Sequence, residues 1–209
     1  AGQIGLLCRN NESFQALSHL LTDIYTQPRS GHSLSVERER LEGIGKGLIG
    51  LSGGVDGDVG RALMAGHARE ATELLRRYQN IFEGNFFIEI TRTNRAGEKE
   101  YEARALEMAS RENAPLVATN AVRFISAEDF EAHEIRTCIR QGRVLDDPRR
   151  PRVFTAEQYM RTPEEMAGAF SDLPSAVENT VEIARRCNVF IDFNATHMPQ
   201  YQAGNDSST

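Results

Sequence analysis

The residues best placed to do chemistry are Asn120, Ala121 and Arg123, at the centre of the stretch Leu116–Ile135. The apolar run Leu116-Val-Ala-Thr119 reads as a strand, and Ser126 with Asp129 makes a capping box that starts a helix. In α/β proteins binding and catalytic groups sit just past the carboxyl ends of strands. Metal-assisted hydrolysis there needs His, Asp and Glu gathered from several strand ends. The five histidines, His19, His32, His67, His133 and His197, form no His-x-His or His-x-x-x-His pair. Only His133 is near a strand end, and it lies inside the following helix. There is no Gly-x-Ser-x-Gly elbow for a nucleophilic triad.

Two loops have the composition of ligand sites. Gly53-Gly-Val-Asp-Gly-Asp-Val-Gly60 is rich in glycine and follows an apolar run, but it lacks the lysine of a phosphate cradle. It also lacks the closing glutamate of a calcium loop. It reads as a turn, with Asp58 capping a short helix that ends at Gly66. Leu145-Asp-Asp-Pro-Arg-Arg-Pro-Arg152 is basic and bounded by proline, which suits a solvated loop face better than a phosphate contact. From residue types alone the chain is an α/β domain without a visible active site.

The elements that must position these residues alternate along the chain. A strand at Ile4–Arg9 leads through Asn10-Asn11 into a helix with Phe14, Leu17, Leu20, Leu21 and Ile24 at helical spacing, to about Tyr25. Residues 27–35 form a loop, Lys46–Ser52 a second strand, Ala68–Phe82 a helix and Asn85–Thr91 a third strand. Thr93–Gly97 is the turn after it, Tyr101–Glu112 a helix and Leu116–Thr119 a fourth strand. The helix from Phe130 stops at Gly142. Thr155 with Gln158, and Thr162-Pro163-Glu-Glu165, mark two further helix starts. Val177–Cys187 is the last helix, and Asn188–Phe193 reads as a strand-like segment. This alternation predicts parallel βαβ units. An open doubly wound sheet and a barrel both satisfy it.

Bulk properties narrow the function further. The chain has 209 residues, 40% hydrophobic, enough for one core, with a net charge of −6 that argues against a simple nucleic-acid-binding module. Its three cysteines, Cys8, Cys138 and Cys187, are scattered, which suggests free thiols in a reducing cytoplasm rather than a disulfide framework. No apolar run reaches the length of a membrane span and no signal peptide is evident, so no membrane is expected. Because the chain opens directly on a strand and trails off as Ala203-Gly-Asn-Asp-Ser-Ser-Thr209, it reads as a piece of a longer protein.

Several segments together carry a resemblance. Leu51-Ser-Gly-Gly54, Gly57-Asp-Val-Gly60, Val117-Ala-Thr-Asn120, Asp129-Phe-Glu-Ala-His-Glu-Ile135, Leu145-Asp-Asp-Pro148, Gln158-Tyr-Met160 and Glu178-Asn-Thr-Val-Glu-Ile-Ala-Arg-Arg-Cys-Asn188 occur in order. They resemble the PHP (polymerase and histidinol phosphatase) domain of the α subunit of bacterial DNA polymerase III, proteobacterial type, over nearly the whole chain.

That resemblance implies an irregular (β/α)7 barrel, incomplete here because its N-terminal strands lie upstream. Residues 1–191 would be the C-terminal portion of the PHP domain, and 192–209 a linker and the start of the polymerase palm. Active PHP members hold metal ions at the strand ends and hydrolyse phosphate esters. By alignment to the family motifs, Gln3 and Thr93 stand where the family has histidines, and Ala121 and Arg123 where it has an aspartate and a histidine. Glutamine and threonine are weak neutral ligands, alanine is none, and arginine is permanently charged. The resemblance therefore implies four vestigial metal positions, no catalytic residue and no metal or other cofactor bound by this segment. Arg123 is expected to pair with a remaining carboxylate in the metal's place. The parent chain would be a DNA-directed DNA polymerase using Mg2+. Its implied partners are the proofreading exonuclease subunit, other polymerase III holoenzyme subunits and primer-template DNA. The alternative is an active PHP phosphoesterase or pyrophosphatase.

Overall fold

The computed structural model describes residues 2–26, 35–196 and 198. His32, His197 and the expected tail at 203–209 lie outside the described residues. Four strands form one sheet in the order β1 (Gly5–Cys8), β2 (Leu48–Leu51), β3 (Phe86–Thr91), β4 (Leu116–Thr119). Around it are α1 (Asn11–Thr26), α2 (Glu39–Glu42), α3 (Asp58–Met64), α4 (Ala68–Ile81), α5 (Glu98–Glu112), α6 (Phe130–Gln141), α7 (Pro163–Ala169) and α8 (Pro174–Arg186).

The pairs β2–β3 and β3–β4 are parallel, as the βαβ alternation predicts. The β1–β2 pair is antiparallel, with Gly5 opposite Leu51 and Cys8 opposite Leu48, which corrects the expectation of parallel units throughout. Strand polarity is not written in a four-residue apolar run; it follows from the path between the strands. The consequence is functional. The carboxyl ends of β2, β3 and β4 and the amino end of β1 all meet at one edge of the sheet.

The sheet is apolar on both faces, as parallel strands must be when both sides are covered. Leu48, Phe86, Ile88, Ile90 and Ala118 face the main core with α3, α4 and α5. Ile49, Phe87 and Val117 face a smaller cluster closed by Ile183 of α8. The strand β2 contributes Gly50 because Phe82 and Phe86 press on it. A Cβ there would sit 2.7 Å from the Phe86 ring and 2.8 Å from that of Phe82. Those rings stack with Tyr78, 4.9 Å from Phe86 between centroids.

Helix boundaries follow local chemistry at several ends. Asn10 accepts the Ser13 N–H at 2.9 Å and starts α1. The Asp129 carboxylate reaches back to the Ser126 N–H at 3.0 Å, and a single 3-10 turn then leads into α6. Gly142 ends α6 in a left-handed conformation, φ 63°. Thr162 and Glu165 cap α7 reciprocally, with Pro163 at its first position. Three expectations fail. Thr155 and Gln158 make a turn and no helix: the buried Gln158 side chain accepts the Thr155 N–H at 3.2 Å but also donates to the Ala121 carbonyl at 3.1 Å, which ties it to the neighbouring loop. Asn188–Phe193 is not a strand. It is held by paired hydrogen bonds between Asn11 and Phe190 while Phe190 and Phe193 stay exposed. The third concerns Asp58, which does not cap α3 with its side chain.

Asp58 instead ties four segments together. Its carboxylate accepts the Gly2 N–H at 2.6 Å, the Arg38 guanidinium at 2.7 Å and the Tyr78 hydroxyl at 2.8 Å. Burial opposes its charge, but the Arg38 and Tyr78 hydrogen bonds outweigh that and hold Asp58 below the usual carboxylate range.

Candidate functional site

A cavity of about 260 Å³ opens at the edge where the strand ends meet, and Gln3, Ala121 and Arg123 all line it. The fold explains the convergence. Gln3 precedes β1 and bridges to Gly57, the Gly53–Asp56 turn follows β2, Arg95 follows β3, and Ala121 and Arg123 follow β4. Glu89, within β3, completes the lining from below. Thr93, the fourth position singled out from sequence, does not line it. It is fully buried behind the cavity, where its hydroxyl donates to the Glu98 carboxylate at 2.6 Å and its N–H does so at 2.7 Å.

The turn after β2 packs closely. Gly53 and Gly54 are both left-handed, φ 76° and 56°. A Cβ on Gly57 would lie 1.7 Å from the Ser52 carbonyl oxygen, so only glycine fits. This turn presents Asp56 to the cavity while Asp58 is held by Arg38 and Tyr78 on another side.

Ala121 has φ 42°, a left-handed backbone that costs an alanine about 1–2 kcal/mol and that Asn and Asp enter more readily. The loop is clamped there from both sides. The Arg123 N–H donates to the Gln158 carbonyl at 2.8 Å and the Gln158 side chain returns the bond to Ala121 at 3.1 Å. Asn120 donates to the Tyr159 carbonyl, and its own side-chain oxygen is buried without a hydrogen-bond partner among the described residues.

Two carboxylates line the cavity, and both are engaged. Glu89 accepts the Thr119 hydroxyl at 2.7 Å and the Gly53 N–H at 3.1 Å. Asp56 pairs with Arg95, both guanidinium nitrogens lying 3.1 Å from one oxygen. The arginine paired with a cavity carboxylate is thus Arg95, which corrects the expectation for Arg123. The Arg123 guanidinium lies 5.5 Å from the centre of the Phe154 ring. No carboxylate is within ion-pairing distance of it among the described residues. Phe154 also receives the edge of His133, with ring centres 4.6 Å apart. Burial holds His133 below the usual histidine range.

Whether this donor set suits a divalent cation is a matter of count and charge. Two carboxylates, each satisfied by protein donors, face two guanidinium groups, and no imidazole or thiol joins them. Among the described residues, no group of three His, Cys, Asp or Glu side chains is placed to hold a metal ion. These residues do not fit the group. His19 is exposed on α1, and His67 sits 3.3 Å from Glu70. All three cysteines are free. No helix among the described residues is long and apolar enough to cross a membrane.

Sequence reasoning missed Glu89, Arg95 and Glu98, and weighed the loop that carries Asp56 only to read it as a turn. A carboxylate inside the apolar run Phe86-Phe-Ile-Glu-Ile was the available signal for Glu89. Asp56 and Arg95 are defined by a pair 39 residues apart, whereas Glu98 is engaged by Thr91, Thr93 and Arg95 just before it.

An α/β fold with loops converging on such a cavity is consistent with a partial PHP barrel, and residues 1–93 match the PHP domain family. Over nearly all its length the chain is similar to DNA polymerase III subunit alpha. The protein of that name from Pseudomonas aeruginosa is 43% identical over 203 residues, 97% of this chain and 17% of the relative. That from Escherichia coli (strain K12) is 43% identical over 204 residues, 98% of this chain and 18% of the relative. That from Vibrio cholerae is 40% identical over 202 residues, 97% of this chain and 17% of the relative. The chain therefore spans about a sixth of the length of these curated relatives.

Proposed function

We propose that this chain is a segment of a replicative DNA polymerase III α subunit in which the PHP portion is a non-catalytic scaffold. In this reading residues 1–191 belong to an irregular (β/α)7 barrel completed by upstream strands, and 192–209 lead toward the palm. The parent chain extends primers on template DNA by Mg2+-dependent phosphoryl transfer. The PHP portion stabilises that chain and docks the proofreading exonuclease subunit among the other holoenzyme subunits.

The observation that carries the scaffold reading is Ala121. Its backbone holds a left-handed conformation that suits aspartate, yet the residue has no ligand atom, and the cavity it lines is charge-balanced by Arg95 and Arg123. Gln3 and Arg123 line the same cavity and contribute neither a carboxylate nor an imidazole to it, and Thr93 is committed to Glu98. A backbone kept for a ligand that is gone fits a structural role. The test uses the full-length protein. Ala121→Asp with Arg123→His is expected to raise metal uptake above that of the unmodified protein. Tight stoichiometric metal in the unmodified protein, with phosphoesterase activity lost on Glu89→Gln, contradicts the scaffold reading and supports an active PHP phosphoesterase.

A further inference from the structure

Resting on the docking role just proposed, we infer that the outer face of α6 is the contact surface and that it takes an acidic, apolar segment of the partner protein. The buried face of α6 is Glu134, Thr137 and Cys138. The opposite strip at helical spacing is Ile135, Arg136, Ile139 and Arg140, all exposed, with Ile139 75% accessible and Val144 just beyond the Gly142 cap 69% accessible. Isoleucines on a solvent face gain nothing for the isolated domain.

Several arginines on other helices pair with a carboxylate one turn away: Arg69 with Glu73, Arg104 with Glu100 and Arg186 with Glu182. On α6 the residue one turn from Arg136 is Arg140, a like-charge arrangement that weakens a helix slightly. Neither arginine has a carboxylate within ion-pairing distance among the described residues. In a protein of net charge −6, an unpaired arginine pair beside two exposed isoleucines complements an acidic, apolar segment. Bare phosphate would use the arginines but leave the isoleucines wet, so a protein partner is favoured over nucleic acid.

The test measures binding of the full-length protein to the purified proofreading exonuclease subunit. Ile139→Asp is expected to weaken binding roughly 30-fold or more, the loss of a central anchor. Arg136→Glu with Arg140→Glu is expected to slow association and flatten its salt dependence. Val181→Asp, at an exposed site on α8, should leave binding unchanged. Matching circular dichroism and unfolding midpoints separate a lost contact from a lost fold; if Ile139→Asp fails that check, the arginine variant carries the test alone. Wild-type affinity in both α6 variants overturns the inference while leaving docking intact. Failure of the unmodified protein to bind the exonuclease overturns the docking reading and this inference with it. Loss of DNA affinity or of self-association in the variants, with exonuclease binding unchanged, also overturns it.

Discussion

Glu98 is the residue on which the sharpest stability prediction can be made. Its carboxylate is buried at the start of α5 and accepts four hydrogen bonds. Two come from Thr93, at 2.7 Å from the N–H and 2.6 Å from the hydroxyl, one from the Thr91 hydroxyl at 2.9 Å and one from the Arg95 N–H at 3.2 Å. Replacing it with alanine leaves two fully buried donors on Thr93 unpaired, at about 1–3 kcal/mol each. Thr91 and Arg95 are only part-buried, and water can take over much of their loss. Together these give about 3–5 kcal/mol for Glu98→Ala, a large share of the stability of a typical domain. Glu98→Gln keeps one acceptor and should cost about 1–2 kcal/mol. Urea unfolding reads the effect as a lower midpoint with an unchanged slope. A double-mutant cycle with Thr93→Val should show coupling of about 0.5–3 kcal/mol. A Glu98→Ala loss under 1 kcal/mol, or no coupling to Thr93, refutes the claim that this carboxylate occupies the threonine and orders the turn beside the cavity.

Three further outcomes follow from the same geometry. Asp58 has a folded pKa below its unfolded one, so its stabilisation is present above the ordinary carboxylate range and is lost as pH falls through the lowered value. The acid limb of an unfolding-midpoint profile should therefore flatten in Asp58→Asn. Gly57→Ala forces a Cβ against the Ser52 carbonyl and should destabilise by about 2–3 kcal/mol or more, measured by thermal unfolding. Ala121→Gly relieves the left-handed strain and should stabilise by up to about 1 kcal/mol; a clear loss of stability there would show that the strain has been misjudged.

Much of the fold was legible because local and global signals agree. Strand β4 lies where its apolar run places it, and the Gly142 stop and the Thr162–Glu165 box behave as their chemistry requires. The polarity of β1 apart, the failures at Gln158 and Asp58 come from a side chain claimed by a distant partner. Gln158 carries the signature of a capping residue and does accept the Thr155 N–H, but its amide NH2 is also taken by the Ala121 loop. Asp58 sits at the first position of α3, where a carboxylate is expected to serve the helix, but Arg38 and Tyr78 take it. Periodicity finds apolar faces and carries no information about which polar groups meet across 20 or 40 residues.

The candidate site shows the same division. Ala121 and Arg123 were marked by their position past the end of a strand, whereas Gln3 was found only through resemblance to a family. Their meeting depends on β1 running antiparallel to its neighbour, which brings the chain before it to the edge where the parallel strands end. The electrostatics of the cavity were not legible, because the Asp56–Arg95 pair joins the turn after β2 to the turn after β3. Thr93 was assigned to the site by the same resemblance; it is buried, bonded to Glu98 and outside the cavity lining.

Metal content and phosphoesterase activity of the full-length protein, measured together on one preparation, test the central claim most directly. The scaffold account predicts no stoichiometric divalent metal and no hydrolysis above that of the Glu89→Gln variant. Stoichiometric metal accompanied by hydrolysis that Glu89→Gln abolishes would contradict it.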